Sequence, residues 1–141
     1  MSPFHDVIVA GAQDGKIFAF DIPEGGFTEE IDDSAAKYVL EGHTARVLET
    51  LFHPTAENVL ASHCGGKQVK LWDLSTAQEK LTLPAVHSAL ITSLAFSHDG
   101  SLLTTFCKDK KLRVFDPRAN CVSGQKHKII FIINYFYNTN R

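Results

Sequence analysis

The chain has no apolar run long enough to cross a bilayer. Its most apolar stretch, "IIFIINYFY" (Ile129–Tyr137), has nine residues, far short of the roughly 20 that a spanning helix needs. Basic residues are not in excess either. Fourteen Lys and Arg stand against sixteen Asp and Glu, a formal net charge of -2, which argues against a nucleic-acid partner because such binders carry a strong positive balance. Cysteine is scarce: Cys64, Cys107 and Cys121 are an odd number with no close spacing, so a reducing, cytoplasmic setting is expected. The start, "MSPFHDVIVAG", has no basic n-region ahead of an apolar core, so no signal peptide is expected. No segment sustains an apolar stripe of helical period, which leaves little room for helix. What remains, 141 residues at 44% apolar and 21% charged, suits one globular domain.

The chain does contain a repeat. "VIVAGAQDGKIFAFD" (Val7–Asp21), "VLASHCGGKQVKLWD" (Val59–Asp73) and "LLTTFCKDKKLRVFD" (Leu102–Asp116) align without gaps. Each ends on an aromatic residue and Asp, with a turn residue six positions before the aromatic: Asp14, Gly66 and Asp109. Upstream, "GHTARVLETLF" runs parallel to "VHSALITSLAF". Asp21 to Asp73 is 52 positions and Asp73 to Asp116 is 43, the excess lying in "PEGGFTEEIDDSAA". Within each copy, "KQVKLWD" and "KKLRVFD" alternate with period two, "VLETLF" and "ITSLAF" read as strands, and "KYVLEG" and "AQEKLTLP" supply a fourth.

Four short strands every 40 to 50 residues, bracketed by Gly-His and Trp-Asp, resemble a WD-repeat β-propeller. The expected fold is therefore all-β: an incomplete propeller of four-stranded antiparallel blades. The expected divisions are 1–41 as a partial first blade, 42–85 as the second and 86–120 as a third lacking a clear outer strand. After Asn120 the blade rhythm is lost, and 121–141 reads as a divergent tail on a truncated propeller, disordered or a stray strand. Its "KIIFIINYFY" has the β-propensity for that strand and is an aggregation hazard if exposed. Open blade faces and edges lead us to expect marginal stability or a partner that completes the ring.

In WD-repeat blades a His, a Ser or Thr, the turn Asp and the Trp share a hydrogen-bonded tetrad. Here the resemblance implies only remnants. The second copy offers His43, Ser62 and Trp72, with Gly66 where the Asp belongs; the third offers His87, Thr105 and Asp109, with Phe115 in place of Trp.

Three chemical readings compete for "HCGGKQVKLWD" (His63–Asp73). A zinc site on His63, Cys64 and Cys107 lacks paired ligand spacing, and the shared repeat position of the two cysteines favours packing. A phosphate loop needs Gly, four residues, then Gly-Lys-Ser/Thr, and Gly66-Lys67 leads into Gln68 and a strand. Ser62 and His63, adjacent on a strand, point to opposite faces. No catalytic, metal or cofactor site and no small-molecule substrate are expected. Arg46, Lys67, Lys108, Lys110 and Lys111 fall in or beside turns expected at one end of the blades, where they would form a positive rim for an acidic protein partner; the plainer reading is that they are solvated.

Further runs narrow the family. "SPFHD", "FDIPEGG", "LEGHTARV", "FHPTAENVLAS" and "CKDKKLRVFDPR", in that order over about Ser2 to Asn120, resemble the coronins, nearest to the long ones with two propellers. The resemblance implies a scaffold for protein partners, with filamentous actin the first of them. It also implies a role in cytoskeleton organisation or vesicle traffic, at the cytoskeleton or the Golgi periphery. Two alternatives stay open: a generic WD-repeat adaptor of another complex, and a truncated isoform without function.

Overall fold

Strands with alternating side chains stack face to face when both faces carry apolar residues, and β5 and β6 below are of that kind. The computed structural model describes residues 2–4, 6–28, 30–83 and 86–119, and the backbone of 129–134. Three antiparallel sheets result. The first holds β1 (Val7–Gly11), β2 (Ile17–Asp21) and β3 (Tyr38–Leu40) in chain order. The second holds β4 (Val47–Phe52), β5 (Val59–Cys64), β6 (Val69–Asp73) and β7 (Gln78–Thr82); the third holds β8 (Ile91–Phe96), β9 (Leu103–Cys107), β10 (Lys111–Phe115) and β11 (Ile129–Asn134).

The outer strand of the third sheet comes from the segment read as a divergent tail, disordered or a stray strand. β11 pairs antiparallel with β10, Leu112 opposite Ile133 and Val114 opposite Phe131. "IIFIIN" is dense in β-branched and aromatic residues, the composition that fits a pleated surface. The rest of 120–141 lies outside the described residues, as does Cys121.

Two cores lie between the sheets. Ile17 and Leu40 of the first sheet pack on Val47, Leu60, Trp72 and Leu74. Ala61, Val69, Leu71 and Leu83 pack on Ile91, Leu94, Leu103 and Phe115 of the third. Period two sorts them: in the register Leu60 opposite Trp72 and Ala61 opposite Leu71, adjacent pairs serve opposite cores. Each fully buried side chain of this size contributes about 1.5–3 kcal/mol.

Polar links reinforce the seam between the second and third sheets. A bulge at Leu48 in β4 is matched by one at Thr92 in β8. Beside them the Glu49 carboxylate accepts the Leu94 N–H at 2.8 Å. At the other end His53 Nδ1 accepts the N–H groups of Thr55 and Ala56 at 3.2 and 2.8 Å. That assigns the ring proton to Nε2, which donates to Gly100 O at 2.9 Å. Gly100 has φ +71°, and a Cβ there would lie 2.0 Å from the His53 ring. Only glycine fits.

Candidate functional site

Ser62 on β5 and Trp72 on β6 share one face of the second sheet. Trp72 Nε1–H donates to Ser62 Oγ at 2.8 Å, and His43 Nε2 lies 2.6 Å from the same oxygen. The His43 ring stands edge-on to Trp72, centroids 5.7 Å apart. In the third sheet His87 Nε2 lies 2.8 Å from Thr105 Oγ1. Its ring is 6.0 Å from Phe115, which has no N–H to donate.

The two turn positions behave differently from a shared tetrad. Two residues before each aromatic stands a buried cation: Lys70, 6% exposed, and Arg113, 3% exposed. A buried charge demands a partner. Arg113 donates to Asp109 from both terminal guanidinium nitrogens, at 2.5 and 3.2 Å. Asp109 also accepts Ser88 Oγ–H and the Lys111 N–H. Arg113 is the main reason that the Asp109 carboxyl lies far below the usual range. Asp109 thus serves Arg113, and His87 Nδ1 has no hydrogen-bond partner among the described residues.

In the second sheet Gly66 supplies no carboxylate, and the acid comes from β7 instead. Lys70 Nζ lies 2.5 Å from Glu79 Oε2 and 2.9 Å from Thr82 Oγ1. Burial works against the charge on Glu79, but Lys70 and Thr82 hold its carboxyl below the ordinary value. His43 Nδ1 also lacks a partner among the described residues. Both imidazoles stay neutral at pH 7. Burial first, then the neighbouring cation (Lys70 or Arg113), pushes His43 and His87 down to about 4.

The adjacent His63 points the other way, as strand alternation requires. Its Nε2 is 3.3 Å from Glu49 Oε2, close but not aligned as a hydrogen bond. Burial lowers the His63 pKa against the pull of Glu49. Cys64 and Cys107 are fully buried, and Cys107 Sγ–H donates to Ala89 O at 3.2 Å. Neither thiol is open to a reagent. Among the described residues no group of three or more His, Cys, Asp or Glu is placed to hold a metal, and no helix is long and apolar enough to cross a membrane.

The turn cations gather at one end of the stack. Gly65 N–H donates to Arg46 O, Lys67 Nζ donates to Ser88 O, and Lys108 N–H donates to Leu90 O, each at 2.9 Å. Arg46, Lys67, Lys108 and Lys110 are exposed there, while Lys111 is half-buried. Lys67 and Lys110 have φ of 63° and 62°, at the repeat position where the first sheet uses Gly15 with φ 91°. A non-glycine residue in that left-handed conformation costs about 1–2 kcal/mol. Lys67 uses its side chain to tie the second sheet to the third; no such bond accounts for Lys110.

Reading the sequence missed the buried cations Lys70 and Arg113, their separate acids, Glu49 and His53. The signal for the cations was present, since both occupy one repeat position.

Comparison with known proteins agrees with this geometry. The model of the WD domain, G-beta repeat, matches residues 35–73 and 78–116, more than half of the chain. A coronin-like protein of Saccharomyces cerevisiae is 42% identical over 124 residues, covering 82% of this chain and 19% of the relative. Coronin-7 of Rattus norvegicus is 40% identical over 116 residues, 82% of this chain and 12% of its own. Human Coronin-2A is 38% identical over 126 residues, 86% of this chain and 24% of its own. The chain therefore spans less than a quarter of the length of each of these curated relatives. The crystal structure of the WD40 domain from Toxoplasma gondii coronin superposes with a TM-score of 0.74 at 22% identity, over 92% of this chain and 30% of that one, a likeness of fold. Repeats, stacked sheets and relatives agree: the chain belongs to the WD-repeat family, with the coronins as its homologues.

Proposed function

We propose that the chain is a coronin-type interaction scaffold that binds actin filaments through its basic end, and so acts in cytoskeleton organisation or vesicle traffic at the cytoskeleton or the Golgi periphery. The observation that carries the reading is the gathering of Arg46, Lys67, Lys108 and Lys110, all exposed, at one end of a chain with net charge -2. Lys110 strengthens it. A lysine held at φ 62° is disfavoured by its backbone, and its charge is the property that glycine could not supply. Clustered cations attract an acidic protein surface and speed its encounter.

Co-sedimentation with actin filaments tests the proposal. The chain should pellet with filaments, and Lys108→Glu with Lys110→Glu should weaken binding at least about tenfold, with steep loss as salt is raised. No co-sedimentation of the unaltered chain would defeat the actin reading. Unchanged binding by the double variant would defeat the basic end as its site.

A further inference from the structure

Neighbouring strands run up and down within each sheet, so the turns fall at two ends. Arg46, Lys67, Lys108 and Lys110 mark one end. At the other lie the loop 22–37 and the turns 53–58 and 97–102, the two turns joined by Thr55 Oγ1–H donating to Asp99 O at 3.0 Å. The loop has five acids and one base, Lys37, and the two turns add Glu57 and Asp99 with no Lys or Arg. This end presents a negative field to its surroundings.

A cleft of about 320 Å³ opens at the negative end, between the first sheet and the second. It is a seam between two sheets of the chain and not an outer face. Val7, Ile22 and Leu74 give it apolar walls, and Asp6, Asp21, Lys37 and Asn58 supply polar groups. Lys37 is already committed. Its Nζ lies 3.0 and 2.7 Å from the two Asp21 oxygens and 5.5 Å from the Tyr38 ring centroid. Asp6 is exposed, and its carboxylate has no partner among the described residues. The backbone there is tied down: Ile22 N–H donates to Asp6 O at 2.6 Å, and Leu74 N–H to Asn58 O at 2.8 Å. The corresponding seam between the second and third sheets lacks the spare carboxylate. By the alignment of Val7, Val59 and Leu102, it has Asn58 in place of Asp6 and Ser101 in place of Asn58. The acid therefore belongs to this one seam and not to the repeat.

We propose that this cleft receives an arginine side chain from a basic segment of a protein partner. A guanidinium offers a planar fork of donors, which suits the Asp6 carboxylate and the Asn58 amide oxygen. Its methylene stem suits the walls of Val7, Ile22 and Leu74. The acids around the mouth select a basic partner and speed its approach. The cleft lies at the opposite end from Arg46, Lys67 and Lys110, so loss of filament binding would leave it intact.

Fluorescence anisotropy of the full chain with a labelled Gly-Arg-Ser-Gly-Arg-Ser peptide at low salt tests this. The unaltered chain should bind it, and the same peptide with lysine for arginine should bind about threefold more weakly. Asp6→Asn should weaken binding of the arginine peptide about tenfold. Asn58→Gly keeps the left-handed backbone of φ 60° and should weaken it about threefold. Glu24→Gln removes the same charge from the loop outside the cleft and should change binding less than about twofold. All three variants should keep the β-sheet circular dichroism spectrum of the unaltered chain. No binding by the unaltered chain, equal binding of the lysine peptide, or equal losses from Asp6→Asn and Glu24→Gln would overturn the proposal.

Discussion

In the third sheet the buried guanidinium of Arg113 is met by Asp109, four residues earlier in the turn. In the second, the ammonium of Lys70 is met by Glu79 on the outer strand. The cation is fixed by its repeat position; the acid is not. The reason is reach. A planar guanidinium binds a turn carboxylate with two parallel bonds, whereas Lys70 lies across from Thr82 in β7, and a bulge at Lys80 brings Glu79 opposite Trp72. The consequence differs too. The acid on Arg113 is shielded, with its side chain 8% exposed, while the acid on Lys70 is 35% exposed.

Breaking the tighter pair should have the largest effect. Asp109→Asn leaves Arg113 buried without a counter-charge and should lower stability by about 3 kcal/mol or more. Glu79→Gln should cost only about 1–2 kcal/mol, because water reaches that pair. Urea unfolding at fixed protein concentration measures both. Next comes the seam between the two sheets. Gly100→Ala combines a φ of +71° with a collision on the His53 ring, and should cost about 2–3 kcal/mol. Trp72→Phe makes the second sheet resemble the third and removes one donor to Ser62, at about 1 kcal/mol beyond the lost ring area.

The smallest effect near neutral pH is titration of the two histidines. Folded His43 and His87 have pKa values of about 4, below the ordinary 6.5 of the unfolded chain. The unfolded chain therefore takes up protons first, and stability falls as pH drops from about 6.5 toward 4. Two such sites give a slope of about 2–3 kcal/mol per pH unit near pH 5. His43→Gln and His87→Gln should each remove about half of that slope. Urea midpoints at pH 7, 6 and 5 are the readout.

Much of this was legible in the sequence. Gapless alignment of three segments located the paired strands, and the absence of an acid at Gly66 pointed to an unusual second sheet. Glu79 was not legible, because "QEKLT" in β7 has no counterpart to align with in "IIFIIN" of β11, and its partner is chosen by a bulge. Glu49 escaped for a similar reason: it bonds Leu94, 45 positions away, across a seam that only stacking creates. His53 stood inside a family run, where its hydrogen bond to Gly100 left no trace in residue type. The composition of β11 reads as strand, the alternative to disorder offered for that segment, but its distance from the repeat gave no way to place its pairing with β10.

The central claim is that the buried cation of the second and of the third sheet must be answered by an acid from whichever element can reach it. Installing the missing turn acid tests this most directly. A Cβ at Gly66 would sit 3.2 Å from Thr44 Oγ1 and 3.4 Å from Cys64 Sγ, a tight but usable space. The measurement is the urea-unfolding free energy of Gly66→Asp in the Glu79→Gln background. Recovery of about 1 kcal/mol relative to Glu79→Gln alone is predicted. No recovery, or a further loss equal to that of Gly66→Asp in the unaltered chain, would contradict the account.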